Sequence, residues 1–251
     1  MRTLPRLAPA GGQRAGGVPP DDTKMLYRYL HELGGICASH TSATGMGTDW
    51  RDNDPEVEPV VEIYQGDRMS YEREGAPRSG RDPKSGEKPA NLAGWYPKGF
   101  INHALGEKGY RLGFESSSDH WSTHLSFSVV LAEKYDREGI MDALRKRHCY
   151  AATDNIILDV TSGPHLMGDE FRTGEAPSLA VHVVGTAPLA RIDVLRDSEV
   201  VETVRPDGQE YRGKWTDPKP EAGRHYYYVR VEQKDGQLAW ASPLWVEYAP
   251  P

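Results

Sequence analysis

The feature that most constrains this chain is a change of hydrophobic period near residue 155. Upstream, short apolar runs at Gly35-Ile36-Cys37-Ala38, Val60–Tyr64, Arg111–Glu115 and Ser126–Ala132 read as strands. Between them, Met25, Leu26, Tyr29, Leu30 and Leu33 recur at helical spacing over 22–33. Further helices are expected over 97–108 and, capped by Asp136, over 137–147. Strands alternating with helices predict a parallel or mixed sheet covered by helices, an α/β architecture. Downstream, Leu179/Val181/Val183 and Ile192/Val194 alternate with polar residues, and Lys234-Asp235-Gly236-Gln237 is a hairpin signal. A series of short strands with this patterning predicts an all-β, Ig-like sandwich. The expected organisation is a flexible Gly- and Pro-rich leader over 1–21, an α/β domain over 22–155 and a β-sandwich over 156–251.

Charge and composition narrow the function classes. Thirty Lys and Arg against 37 Asp and Glu give a net charge of −7. That balance lacks the basic face of a nucleic-acid binder. There is no run of about 18 apolar residues, so no membrane span is expected. The leader lacks the apolar core of a secretory signal, which makes the cytoplasm the default compartment. Two cysteines exclude a disulfide scaffold and a cysteine-ligated zinc ribbon.

Nine histidines direct attention to chemistry. Asp119-His120-Trp121-Ser122-Thr123-His124 sets a carboxylate and two imidazoles within six residues. That is material for zinc, manganese or iron, or for a hydrogen-bonded loop. His40 follows a buried strand, where α/β sheets place their sites. Glu62 sits inside the apolar run Val-Val-Glu-Ile-Tyr and needs a partner there, either an ion pair or a site. Cys37 reads as a buried thiol. Arg145–Arg147 suit the end of a helix more than a phosphate site. Tyr226, Tyr227 and Tyr228 are either a stacking platform for sugar or, in part, core.

Several of these segments together resemble a known family. Ala38-Ser39-His40-Thr41-Ser42, Val61-Glu62-Ile63-Tyr64-Gln65-Gly66, Ser117-Ser118-Asp119-His120 and Tyr150-Ala151-Ala152-Thr153-Asp154-Asn155 occur in that order. Met167-Gly168-Asp169-Glu170-Phe171 and the run from Asp235 to Pro243 follow. The set resembles the C-terminal half of the polymerase and histidinol phosphatase (PHP) superfamily, above all a bacterial branch that ends in a β-sandwich. The resemblance implies a distorted β/α barrel, here partial, and divalent zinc, manganese or iron used to hydrolyse a small phosphoester. It implies His40, Asp119 and His120 as metal ligands, with Glu62 and His124 near the site. The family's N-terminal His-x-His and Asp-His motifs have no counterpart in this sequence. The expected protein is therefore a C-terminal fragment or one half of a split enzyme, completed by a second chain or by homo-oligomerisation. The competing expectation is an inactive remnant, or a binding module whose sandwich contacts carbohydrate or protein.

Overall fold

The computed structural model describes residues 22–48, 50–80 and 94–250. The leader expected over 1–21 lies outside the described residues. Helix α1 (Asp22–Leu33) leads into a small parallel sheet of β1 (Ala38–Ser39), β2 (Val60–Gln65) and β3 (Gly113–Ser117), in that spatial order. Every residue of β2 is buried, as a β-branched and aromatic run covered on both faces must be. Next come β4 (Phe127–Val130), helix α2 (Arg137–Arg145) and β5 (Cys149–Ala152). The Asp136 carboxylate caps α2 by accepting from the Gly139 N–H at 2.7 Å.

The remaining strands are short and antiparallel for the most part. They are β6 (Ile157–Ser162), β7 (His165–Leu166), β8 (Glu170–Thr173), β9 (Ser178–Val184), β10 (Leu189–Arg196) and β11 (Glu199–Val204). After them run β12 (Glu210–Thr216), β13 (Gly223–Gln233), β14 (Leu238–Ala241) and β15 (Leu244–Tyr248). One sheet follows the order β12-β9-β6-β7. The larger one runs β11-β10-β13-β14-β5-β4, with β15 bridging β13 and β8. Strands on either side of residue 155 thus share a sheet.

The result is three layers. Tyr226, Tyr228 and Trp240 of the large sheet pack with Val61, Ile63 and Phe114 of the parallel sheet. Their neighbours Tyr227, Val229 and Ala239 pack with Leu158 and Val181 of the four-stranded sheet. The two-residue period of a strand therefore feeds two cores, one on each face of the central sheet.

The α/β barrel expected upstream is absent, and the fold is mostly β. The described residues hold two short α-helices, two 3-10 turns and one π turn, too few to cover a barrel. Each parallel pair in a barrel needs a crossover of helix length. Here β4 and β5 flank α2 yet pair antiparallel to each other, and β5 pairs with β14 in the central sheet. The helix expected over 97–108 is a 3-10 turn, Pro97–Gly99, and a π turn, His103–Glu107. The all-β part fits a sandwich, as its period-two patterning implied.

One buried carboxylate joins the layers. Glu72 accepts from both the Tyr228 hydroxyl at 2.7 Å and the Trp240 indole at 2.9 Å. Arg230 Nη1 donates to both Glu72 oxygens at 2.8 Å, and its Nη2 donates to Asp193 at 2.7 Å. No described helix is long and apolar enough to cross a membrane.

Candidate functional site at the carboxyl edge of the parallel sheet

Three parallel strands end together, and the loops that leave them carry the chemistry. Ser39 pairs with Val61, and Glu62 with Glu115, so His40, Glu62 and Asp119 fall on one end of the sheet. Glu62 is the hub. Its Oε2 accepts from the Thr41 N–H at 3.0 Å and its Oε1 from the Ser117 hydroxyl at 2.5 Å. One carboxylate at the centre of β2 thereby fixes the exits of both β1 and β3. With both oxygens engaged, Glu62 acts as a clip between loops. Burial pushes its carboxyl up. Ser117, Thr41 and His40 pull it partly back, and Asp119 adds to the rise.

The loops are held in costly conformations. Thr41 has φ 51° and Asp119 φ 60°, immediately beside His40 and His120. A β-branched residue in the left-handed region is a true outlier, and such strain concentrates at functional sites. Two glycines clamp the first loop. A Cβ on Gly47 or Gly99 would meet the Ser42 carbonyl oxygen at 1.9 Å and 1.7 Å. Beneath it, Glu58 accepts from the Ser39 and Tyr27 hydroxyls at 2.5 Å each, which ties α1 to β1.

Asp119 is mostly sheltered and His120 mostly exposed, at 16% and 73% of their side chains. Asp119 Oδ1 contacts the His120 ring at 2.6 Å and its backbone N–H at 2.8 Å. Arg68 lies 3.7 Å from Oδ2. Desolvation pushes the Asp119 carboxyl up, but His120 and Arg68 outweigh it and hold it below the ordinary value. His40 is exposed, with Nδ1 3.4 Å from the Thr41 hydroxyl. His124 is exposed and lies against Thr123 at 2.9 Å. A cleft of about 600 Å³ opens beside His40, between α1 and the loop carrying Met46.

Donor chemistry decides what this edge can do alone. Among the described residues, no three His, Cys, Asp or Glu side chains converge to hold a metal ion. The oxygens of Glu62 and Asp119 already face protein donors. The edge sets His40 and Asp119 within electrostatic reach of Glu62 and pairs Asp119 with His120, but it does not close a metal centre.

Other residues singled out by sequence have structural partners. Cys37 and Cys149 are unbridged, and burial pushes their thiols up to about 11 and about 12, the opposite of an activated nucleophile. Arg145 donates to the Gly34 carbonyl, and Arg147 donates to that of Gly168. His148 meets Asp169 at 2.8 Å, so the Met167–Phe171 motif docks the sandwich onto the end of α2. Tyr226, Tyr227 and Tyr228 are all buried and form no sugar platform, because β13 is covered on both faces. Sequence reasoning missed Arg68, Ser117 and Glu115. Burial pushes Glu115 up to about 7, and the neighbouring Glu62 adds to the rise.

No protein-family model matches the chain. An uncharacterised protein of Chlamydia trachomatis is 31% identical over 245 residues, which is 86% of this chain and 39% of that protein. One from Chlamydia pneumoniae is 33% identical over 236 residues, 83% of this chain and 37% of that one. The chain thus spans about two fifths of the length of these relatives. Fibronectin(III)-like modules of Clostridium thermocellum CbhA cover 38% of the chain at 18% identity and a TM-score of 0.26. A Jonesia denitrificans lytic polysaccharide monooxygenase covers 59% at 13% identity and 0.25. At these scores neither structure assigns fold or function.

Proposed function

We propose that this chain supplies one half of a divalent-metal-dependent hydrolase of phosphoesterase type, at the carboxyl edge of β1–β2–β3. The observation that carries the proposal is the Glu62 clip, which holds the exits of β1 and β3 so that His40 and Asp119 share one edge. His40, Asp119 and His120 are the donors this half offers. The remaining ligands come from another segment or a second chain. Glu62 orients the loops, and Arg68 sits beside Asp119 as a cation for a phosphoryl oxygen. Zinc, manganese or iron in the completed site would supply a nucleophilic hydroxide.

Two features support completion from outside. On α1, Met25, Leu26 and Leu33 are exposed at 49%, 42% and 50%, although they lie at helical spacing for burial. Strand β1 is the edge of its sheet and offers its free side beside His40. The longer Chlamydia relatives have the additional chain to cover both. The test is metal content and hydrolysis of p-nitrophenyl phosphate by the full-length C. trachomatis protein. The expected outcome is bound metal and turnover, both lost when the residues aligned with His40 and Asp119 become Ala. Metal and turnover that survive both substitutions overturn the reading.

A further inference from the structure

The parallel sheet and the central sheet meet at a seam of side chains, with β3 the end strand of one and β4 the end strand of the other. Serines join them. Ser116 donates its N–H to Ser128 Oγ at 2.9 Å and its hydroxyl to the Phe127 carbonyl at 2.8 Å. Ser128 Oγ also lies 2.7 Å from the Ser116 carbonyl and 3.0 Å from Glu115 Oε2.

Counting protons assigns the donor. A hydroxyl has one proton to give and two lone pairs to accept with. The Ser116 carbonyl brings no proton, so Ser128 donates to it, and Ser128 accepts from the Ser116 N–H. The contact with Glu115 is then complete only when the carboxyl carries a proton and donates it. The neighbouring strand calls for the same state. Glu62 stands in register with Glu115 on β2, one strand spacing of about 4.8 Å away. Both Glu62 oxygens accept, from the Thr41 N–H and the Ser117 hydroxyl, as those of a carboxylate do. Two carboxyls abreast do not both ionise readily. Burial and the neighbouring Glu62 push Glu115 up to about 7.

We propose that Glu115 is a proton-operated latch between the two sheets. Protonated, it closes β3 onto β4 and leaves Glu62 as the single charge of the pair. Once the proton leaves, the donor to Ser128 is gone and a second carboxylate faces the clip that holds the His40 and Asp119 loops. Glu115 and Ser117 lie on one face of β3, so the repulsion bears on the Glu62–Ser117 bond. Ser128 is exposed, so water reaches the seam and the proton leaves without opening the core. The groups facing Glu115 are Glu62 from β2, Ser128 from β4 and the Cys149 thiol from β5. Burial keeps Cys149 neutral, as it does Tyr71 near Glu62. His40 and Asp119 act on Glu62 with opposite signs. The latch needs no metal and is independent of the hydrolase reading.

Carboxyl carbon NMR on the full chain, labelled in its glutamates, tests it. Glu115, assigned by the signal missing in Glu115→Gln, is expected to titrate with a midpoint of about 7. The Ser116 amide, which donates to Ser128, is expected to follow that midpoint. In Glu115→Gln the side chain still donates to Ser128 and cannot ionise, so the Ser116 amide stays flat across the same window. Ser128→Ala removes the acceptor of the Glu115 proton and is expected to lower the midpoint by about 1 pH unit. Glu62→Gln, by removing the like charge, is expected to lower it by a similar amount; should that variant not fold, Ser128→Ala carries the test. A rise of the midpoint in Ser128→Ala would mean that the hydroxyl donates to a carboxylate, and overturns the latch. A Glu115 midpoint near the ordinary 4.5, or a Ser116 amide that titrates alike in Glu115→Gln, does the same.

Discussion

The central sheet and the parallel layer share a core yet finish differently. In the central sheet, β13 alternates its side chains into two cores, and its tyrosine hydroxyls all find partners, Tyr226 on Ser198, Tyr227 on Asp217 and Tyr228 on Glu72. In the parallel layer, β2 is fully buried, while the neighbouring helix exposes Met25, Leu26 and Leu33, and Met46 is 61% exposed beside His40. One region is closed around its hydroxyls, although its β10–β11 turn holds left-handed Asp197 and Ser198. The other carries left-handed Thr41 and Asp119, an open sheet edge and a carboxylate spent on holding loops. The difference lies in cover: the parallel layer leaves an open sheet edge with exposed apolar side chains beside it.

The most severe way to break this comparison is to cut the link between the regions. Glu72→Ala leaves Arg230 buried with only Asp193, and removes the acceptor for Tyr228 and Trp240. Breaking a buried ion pair from one side costs about 3–5 kcal/mol. Urea denaturation is expected to show that loss in a single transition, because both layers pack on the same sheet. A loss confined to the parallel layer, seen as two transitions, contradicts the shared core.

A smaller effect follows from Glu115. Its folded carboxyl lies at about 7 against an ordinary value of 4.5. The folded state therefore holds the proton more tightly than the unfolded chain. Its contribution to stability is fully present below about 4.5, falls as pH rises through about 7 and then levels off. Glu115→Gln is expected to flatten that slope in denaturation midpoints measured across the window. An unchanged slope contradicts the assignment.

How far the sequence foretold these regions depends on the range of the contacts involved. The sandwich strands were legible because period-two burial is a local pattern, and the Asp235-Gly236 turn announced its hairpin, with Gly236 at φ 84°. The barrel reading failed at β4 and β5: they pair with each other, and β5 joins the central sheet through β14, far along the chain, so nothing local marked them as its members. The 97–108 segment has helical spacing, but Gly99 must lie against the Ser42 carbonyl, which breaks the helix there. At the site, the position of His40 and Asp119 after strand ends was readable, and so was the need of Glu62 for a partner. Which partners Glu62 takes was not, since Thr41 and Ser117 reach it only through the parallel register. His225 on β13 and Asp197 in the β10–β11 turn lie 28 residues apart, and no spacing signals that pair.

The smallest expected effect on stability is at α1. Changing Met25, Leu26 and Leu33 together to Gln alters exposed positions, each expected to shift stability within about 0.5 kcal/mol. If that face docks the completing segment, the same change abolishes assembly with it in a pull-down or sedimentation experiment. Loss of folding of the isolated chain instead would show that the face belongs to its own core.

The central claim is the proposal that the metal donors this chain offers lie at the carboxyl edge of β1–β2–β3. Manganese titration followed through the imidazole proton signals of the histidines tests it most directly. Paramagnetic broadening is expected first at His40 and His120, and to be lost from His120 in the His40→Ala/Asp119→Ala variant matched for folding. Broadening that begins at His103 and His225, or that persists at His120 in the variant, would contradict the account.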